Sequence, residues 1–184
     1  MNSNIGLDSQ ELKFLAIEAS RGRQAERALG YLKQAIGQAP LDGELHYLMA
    51  AEHAQMGMYD RAAEEMEHAL RLAPGLHAAR LQLGLLYLTQ ANVDASGRTL
   101  EPLCALDEGS CFRSFAFGLL HLMHDRFPEC RAALAQGIAL KAQNDALNGD
   151  MRKILDALPA PAVDAASADS NVWLSAYKQD DAPN

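Results

Sequence analysis

His121 and His124, together with Cys104, Cys111 and Cys130, are the residues whose types could do chemistry in this 184-residue chain. Two histidines one helical turn apart can share a metal ion. His121, however, falls at a position shared by His53 and Tyr87 that faces the core in the frame described below, so a packed histidine with its nitrogen satisfied is expected. The cysteines are separated by 6 and 18 residues, not the short pairs that zinc sites prefer. Cys130 occupies a small-residue core position, where a thiol acts as a modest hydrophobe. Glu64, Glu65 and Glu67, with Arg61 and Arg71 at helical spacing, could do acid–base work only in a cleft that shifts their pKa values. On a hairpin's second helix they are expected on a solvated outer face. No Gly-rich phosphate loop or nucleophile elbow is present in the sequence. The expectation is therefore a protein without catalytic residues, metal or cofactor.

Composition narrows the partner class. Sixteen Lys and Arg against 24 Asp and Glu give a net charge of −8. That balance argues against nucleic acid or an anionic membrane surface as partner. Residues Met1 to Asp8 lack both the basic and the apolar region of a secretory leader. The densest apolar stretch, Phe115 to Met123, is too short to insert across a bilayer. Three cysteines leave one over in any disulfide scheme, which suits a reducing, cytoplasmic location.

The elements that position these residues repeat. Pro40 and Pro74 end Ala-rich helical patterns 34 residues apart, and 34-residue frames from Ser9 divide the chain into windows 9–42, 43–76, 77–110 and 111–144. Frame position 8 carries Ala16, Ala50, Gly84 and Gly118. Position 20 carries Ala28, Ala62, Ser96 and Cys130, and position 24 carries Leu32, Met66, Leu100 and Leu134. Small residues recur where two helices cross closely, and large apolar ones where they fill the gap. Gly22, Gly57, Ala91-Asn92 and Asp125 mark the mid-repeat turns, with Glu44 to Met56 and Tyr59 to Leu72 as the helices of the second window. One hairpin cannot bury its apolar face alone, so neighbours must stack.

These residues bring the chain to a resemblance. The second window is similar to a tetratricopeptide repeat through Met49-Ala50, Gly57, Tyr59, Ala62, Ala69 and Pro74. The third is similar through Leu83-Gly84 and Tyr87, the fourth through Phe117-Gly118 and Phe127. Leu103, beside Pro102, departs from the usual small residue, and Glu108 and Ala142 replace the closing proline. The resemblance implies an all-α, right-handed α-solenoid of about four helix hairpins plus a capping helix. The expected organisation is an extension at 1–8, a repeat domain with capping helix at 9–158, and a tail at 159–184. Asp145 to Leu158 suits the capping helix, with Leu147, Met151, Ile154, Leu155 and Leu158 on one side and Arg152, Lys153 and Asp156 on the wet side.

In proteins of this kind the first helices of the hairpins line a concave surface through frame positions 5, 9, 12 and 13. The resemblance thus implies a partner groove containing Lys13, Ile17, Ser20 and Arg21, then Tyr47, Ala51, Ala54 and Gln55. Leu81, Leu85, Leu88 and Thr89 follow, then Phe115, Leu119, Leu122 and Met123. Its N-terminal end is basic and polar, its C-terminal end apolar. An open apolar patch of that size calls for an occupant; the alternative is that these positions are core beneath the final helix. Lys13 matches the carboxylate-clamp pattern of co-chaperone repeats, but Ile17 and Ala51 replace its Asn residues, so no such clamp is expected.

The leading function is a non-enzymatic adaptor that binds a helical or extended apolar segment of a protein client. Lys13 and Arg21 would orient acidic client residues. A second reading follows from Leu103 to Asp107 with Arg113, Phe115 and Gly118, a short stretch similar to type III secretion chaperones of translocator proteins. A third follows from the tail. After Pro159-Ala160-Pro161, residues 162–170 read as a linker, and Val172, Trp173, Leu174 and Tyr177 form an amphiphilic island holding the single tryptophan. That island is expected to dock in the groove, as a lid or as a homo-oligomer contact.

Overall fold

The computed structural model describes residues 6–140 and 145–159. Among them are nine α-helices and one 3₁₀ helix, with no strand. The helices are α1 (Ser9–Arg21), α2 (Ala25–Gln38), α3 (Gly43–Gln55), α4 (Tyr59–Leu72) and α5 (His77–Thr89). They continue with α6 (Val93–Leu100), α7 (Cys111–Leu122), α8 (Phe127–Ala139) and α9 (Asp145–Ala157), the 3₁₀ helix Glu101–Ala105 lying between α6 and α7. The fold is all-α, built from stacked helix hairpins, the α-solenoid class. Packing divides the chain into two compact units, one ending at Ala79 and the other beginning at Arg80.

The 34-residue frame is written into the backbone. Among the described residues, φ turns positive at Arg23, Gly57, Ala91 and Asp125, each 34 residues after the last. The following residue closes the same bond in every case: Gln24 N–H to the Ala19 carbonyl, Met58 to His53, Asn92 to Tyr87 and Arg126 to His121, at 2.9–3.0 Å. This is the Schellman arrangement that satisfies the last carbonyls of a helix through a left-handed residue. In the first hairpin the left-handed residue is Arg23, one position beyond Gly22, whose φ is −79°. Only Gly57 supplies the residue type that adopts this conformation without steric cost.

Within hairpins the expected pairing of small against large is met. An added Cβ at Gly84 would lie 2.5 Å from Leu100, and one at Gly118 would lie 2.5 Å from Leu134. Ala16 packs in one cluster with Leu32. Ser96, at the next small position, donates its hydroxyl to the Gly84 carbonyl at 2.7 Å, so its burial leaves no polar atom unpaired. The helices α1 and α3 begin with side-chain caps: Asp8 accepts from the Gln10 and Glu11 amides while Glu11 accepts from Asp8, and Asp42 accepts from Glu44. The third hairpin departs from the frame where the sequence does. Pro102 cannot donate its amide, so α6 stops after eight residues and the chain continues as the 3₁₀ helix, with Leu103 turned inward.

The two units have different cores. In the first, Leu12, Ala16, Leu32, Ala35 and Leu45 form a small cluster. In the second, one continuous cluster of larger side chains runs from Leu81 to Leu158 and includes Phe115, Leu119 and Leu122.

Candidate functional site

The inner frame positions behave differently in the two units. In the second, Leu81, Leu85, Leu88, Phe115, Leu119 and Leu122 are all buried, none more than 9% exposed. Met123 packs against them half-buried, and Leu147, Met151 and Ile154 of α9, with Leu158 just beyond its end, belong to the same cluster. These four stand at i, i+4, i+7 and i+11, the apolar stripe of an amphipathic helix. Arg131 of α8 fastens the end of α9, donating to the carbonyls of Leu155, Leu158 and Pro159 at 3.0–3.5 Å. Arg152, Lys153 and Asp156 face water. The apolar positions are thus buried core that shares one cluster with α9, not an open greasy surface.

In the first unit the same positions remain accessible. Ile17, Ser20, Tyr47, Ala51 and Ala54 are half-buried, and Arg21 and Gln55 are exposed. Lys13 is engaged within the chain, its Nζ 2.9 Å from Glu44 Oε2, and Arg21 pairs with Glu18 at 2.6 Å. Phe14 adds to this surface. It is 63% exposed and lies three residues before Ile17 and seven before Arg21, on the same side of α1. Frame position 6 was not among the inner positions, so Phe14 was missed; Leu48, its counterpart in α3, packs against the first hairpin's core.

The polar groups also differ from expectation in one place. Glu65 is not on a solvated face: its side chain is 17% exposed, with one oxygen 2.5 Å from Nδ1 of the buried His53 and the other 3.1 Å from Arg61 Nε. The 12-residue separation of His53 and Glu65 bridges α3 and α4, a cross-helix contact that no i,i+4 count on one helix contains. His121 is half-buried and stacks on Phe117, which Arg113 covers from 5.6 Å. Its Nδ1 is buried with no hydrogen-bond partner, contrary to the expectation of a satisfied nitrogen. Burial holds its pKa below the ordinary histidine value.

Burial pushes the Cys130 thiol up to about 12 and raises Cys104 and Cys111 as well, so none is an activated nucleophile. Among the described residues no three His, Cys, Asp or Glu side chains converge as a metal site, and no helix is long and apolar enough to cross a membrane. The island Val172, Trp173, Leu174 and Tyr177 lies outside the described residues.

No protein-family model matches the chain. Over 99 residues, 53% of this chain, it is 36% identical to Tetratricopeptide repeat protein 34 of Homo sapiens; the match spans 16% of that protein's length. In fold it is similar to MamA, residues 41 to the end, from Desulfovibrio magneticus RS-1, with a TM-score of 0.58 at 21% identity over 80% of this chain and 85% of that one. A MamA RS-1 double mutant gives the same TM-score at 20% identity, over 78% and 83% of the two chains. The recurrent turn, the small-against-large pairing and the similarity to a tetratricopeptide repeat protein agree, and the helix hairpins of this chain resemble tetratricopeptide repeats.

Proposed function

We propose that this chain is a non-enzymatic protein-interaction module whose client segment lies along the inner positions of α1 and α3. Repeat hairpins of this type mediate protein–protein interaction. The observation that carries the finer reading is the accessibility contrast: Arg21 is exposed and Ile17 and Tyr47 are only half-buried, whereas Leu81, Leu85, Leu88, Phe115, Leu119 and Leu122 are filled core. Displacing α9 to open the second unit would expose four buried apolar side chains, each worth about 1.5–3 kcal/mol. The first unit asks for no such rearrangement.

The surface fits a segment with one or two apolar anchors beside an acidic residue. Phe14, Ile17 and Tyr47 receive the anchors. The acidic residue takes Arg21, or Lys13 in exchange for Glu44; half-exposed pairs of that kind are worth about 0–1 kcal/mol, so exchange is easy. The secretion-chaperone reading gains no support, since Leu103, Phe115 and Gly118 are buried and packing accounts for them.

The test is affinity capture from native lysate with wild type, Ile17→Arg/Tyr47→Asp, and Leu41→Asp as a control at an exposed site of the same unit. The expected result is a partner lost only in the double variant, with helicity preserved by circular dichroism. An identical partner list from all three proteins overturns the proposal.

A further inference from the structure

The outer side of α1 carries the frame positions that α3 uses for stacking. In α3, positions 3, 6, 7 and 10 hold Leu45, Leu48, Met49 and Glu52. Leu45 is fully buried with Leu12, Ala16, Leu32 and Ala35 of the first hairpin, Leu48 and Met49 pack half-buried against that cluster, and Glu52 is buried. Ala116, at position 6 of α7, is fully buried too. The same four positions of α1 hold Glu11, Phe14, Leu15 and Glu18. Glu11, Phe14 and Glu18 are exposed and Leu15 is half-buried. Phe14, at 63% exposure, is thus a large ring at a stacking position that no described residue covers.

Charge along this face is asymmetric. Glu11 stands in the first turn of α1 and Arg21 in the last, about 15 Å apart along the helix. Two such helices laid parallel would set Glu11 against Glu11 and Glu18 against Glu18, which is unfavourable. Laid antiparallel about the level of Ala16, they bring Glu11 of each copy level with Arg21 of the other. Phe14 and Leu15 of both copies then lie between the two ion pairs, the Phe14 Cα atoms about 6 Å apart along the axis. The Arg21–Glu18 pair within α1 is exposed, so Arg21 can take a second carboxylate at little cost. The last described helix, α9, turns Arg152, Lys153 and Asp156 to water and gives Phe14 of another copy no apolar seat.

We infer that two copies of this chain associate through α1, antiparallel and two-fold symmetric, with Phe14 and Leu15 at the centre and Glu11 of each copy paired with Arg21 of the other. Such a contact uses the same patch on both copies and closes on itself. It goes beyond the client site proposed above, with which it shares Phe14 and Arg21, whereas Tyr47 belongs to the client site alone. One helix pair buries less than the roughly 1,200 Å² of a standard interface, so the association is weak and the dilute monomer leaves Phe14 open.

Sedimentation velocity of the full chain from about 1 to 300 µM reads this contact as a mass rising from one chain toward two. Phe14→Glu should hold the mass at one chain throughout, with circular dichroism unchanged. Glu11→Lys and Arg21→Glu should each weaken association about tenfold or more, because each sets like charges face to face at both ends of the pair. Mixed in equal amounts, these two variants should associate as wild type does, since each meets its complement in the other chain. A folding defect within either variant would not be repaired by mixing. Wild type at one-chain mass over the whole range overturns the inference and leaves the face to a different protein. A dimer insensitive to Phe14→Glu overturns it as well, and so does a mixture no better associated than its separate components. Tyr47→Asp keeps the two proposals apart: the dimer should persist in it, and unchanged client capture by that variant would defeat the client site alone. A dimer lost in Tyr47→Asp would move the contact to the inner positions and overturn the α1 pair.

Discussion

The two units share one 34-residue frame and fill its inner positions with side chains of different size. Positions 5, 9 and 12 hold Lys13, Ile17 and Ser20, then Tyr47, Ala51 and Ala54, in the first unit, all partly accessible. In the second they hold Leu81, Leu85 and Leu88, then Phe115, Leu119 and Leu122, all buried. Buried apolar area is the main stabilising term, so a face of Leu and Phe gathers helices over itself, while a face of Ala, Ser and Lys stays wet. The same backbone device thus yields a surface in one unit and a core in the other. On the function proposed above, stability and recognition are accordingly separated along the chain.

The sharpest way to break this comparison is to remove side chains at equivalent inner positions. Phe115→Ala should cost about 3–5 kcal/mol in urea unfolding, because the ring packs against Gly137 and leaves a cavity. Ile17→Ala, on the accessible face, should cost about 1 kcal/mol or less. Equal costs would mean that the two faces are buried alike.

A smaller effect probes the first unit's polar link. His53→Ala leaves the half-buried Glu65 with Arg61 alone, and the lost hydrogen bond should cost about 1–3 kcal/mol by the same unfolding assay. A variant as stable as wild type would show that the His53–Glu65 contact is not part of what holds α3 to α4.

The smallest effect concerns what the units have in common. Ala91 and Gly57 occupy the same left-handed turn, at φ of 61° and 75°. Ala91→Gly should stabilise by about 1 kcal/mol and Gly57→Ala should destabilise by a similar amount. Opposite signs in paired thermal melts confirm one turn used twice; matching signs would show that the repeats differ at this point.

Most of the fold was legible because turns and helix crossings depend on local residue types. Gly57, Ala91-Asn92 and Asp125 marked their turns, and Tyr59 to Leu72 matched α4 at both ends. The first turn was misplaced by one residue, since Gly22 is the residue type expected at positive φ while Arg23 takes it. The site was less legible. Leu85 and Leu119 read equally as open groove or as core, and only the tertiary position of α9 decides between them. Glu65 reads as a wet-face residue because its His53 partner lies on another helix, and Phe14 is missed because position 6 is not among the inner positions that the resemblance supplies.

Hydroxyl-radical footprinting of the full chain, read by mass spectrometry, tests the central claim most directly. The account predicts rapid oxidation of Phe14 and Tyr47, with Phe115, Leu119 and Leu122 protected until the chain unfolds. Oxidation of Phe115 and Leu119 as fast as that of Phe14 would contradict it and return the apolar positions to an open groove.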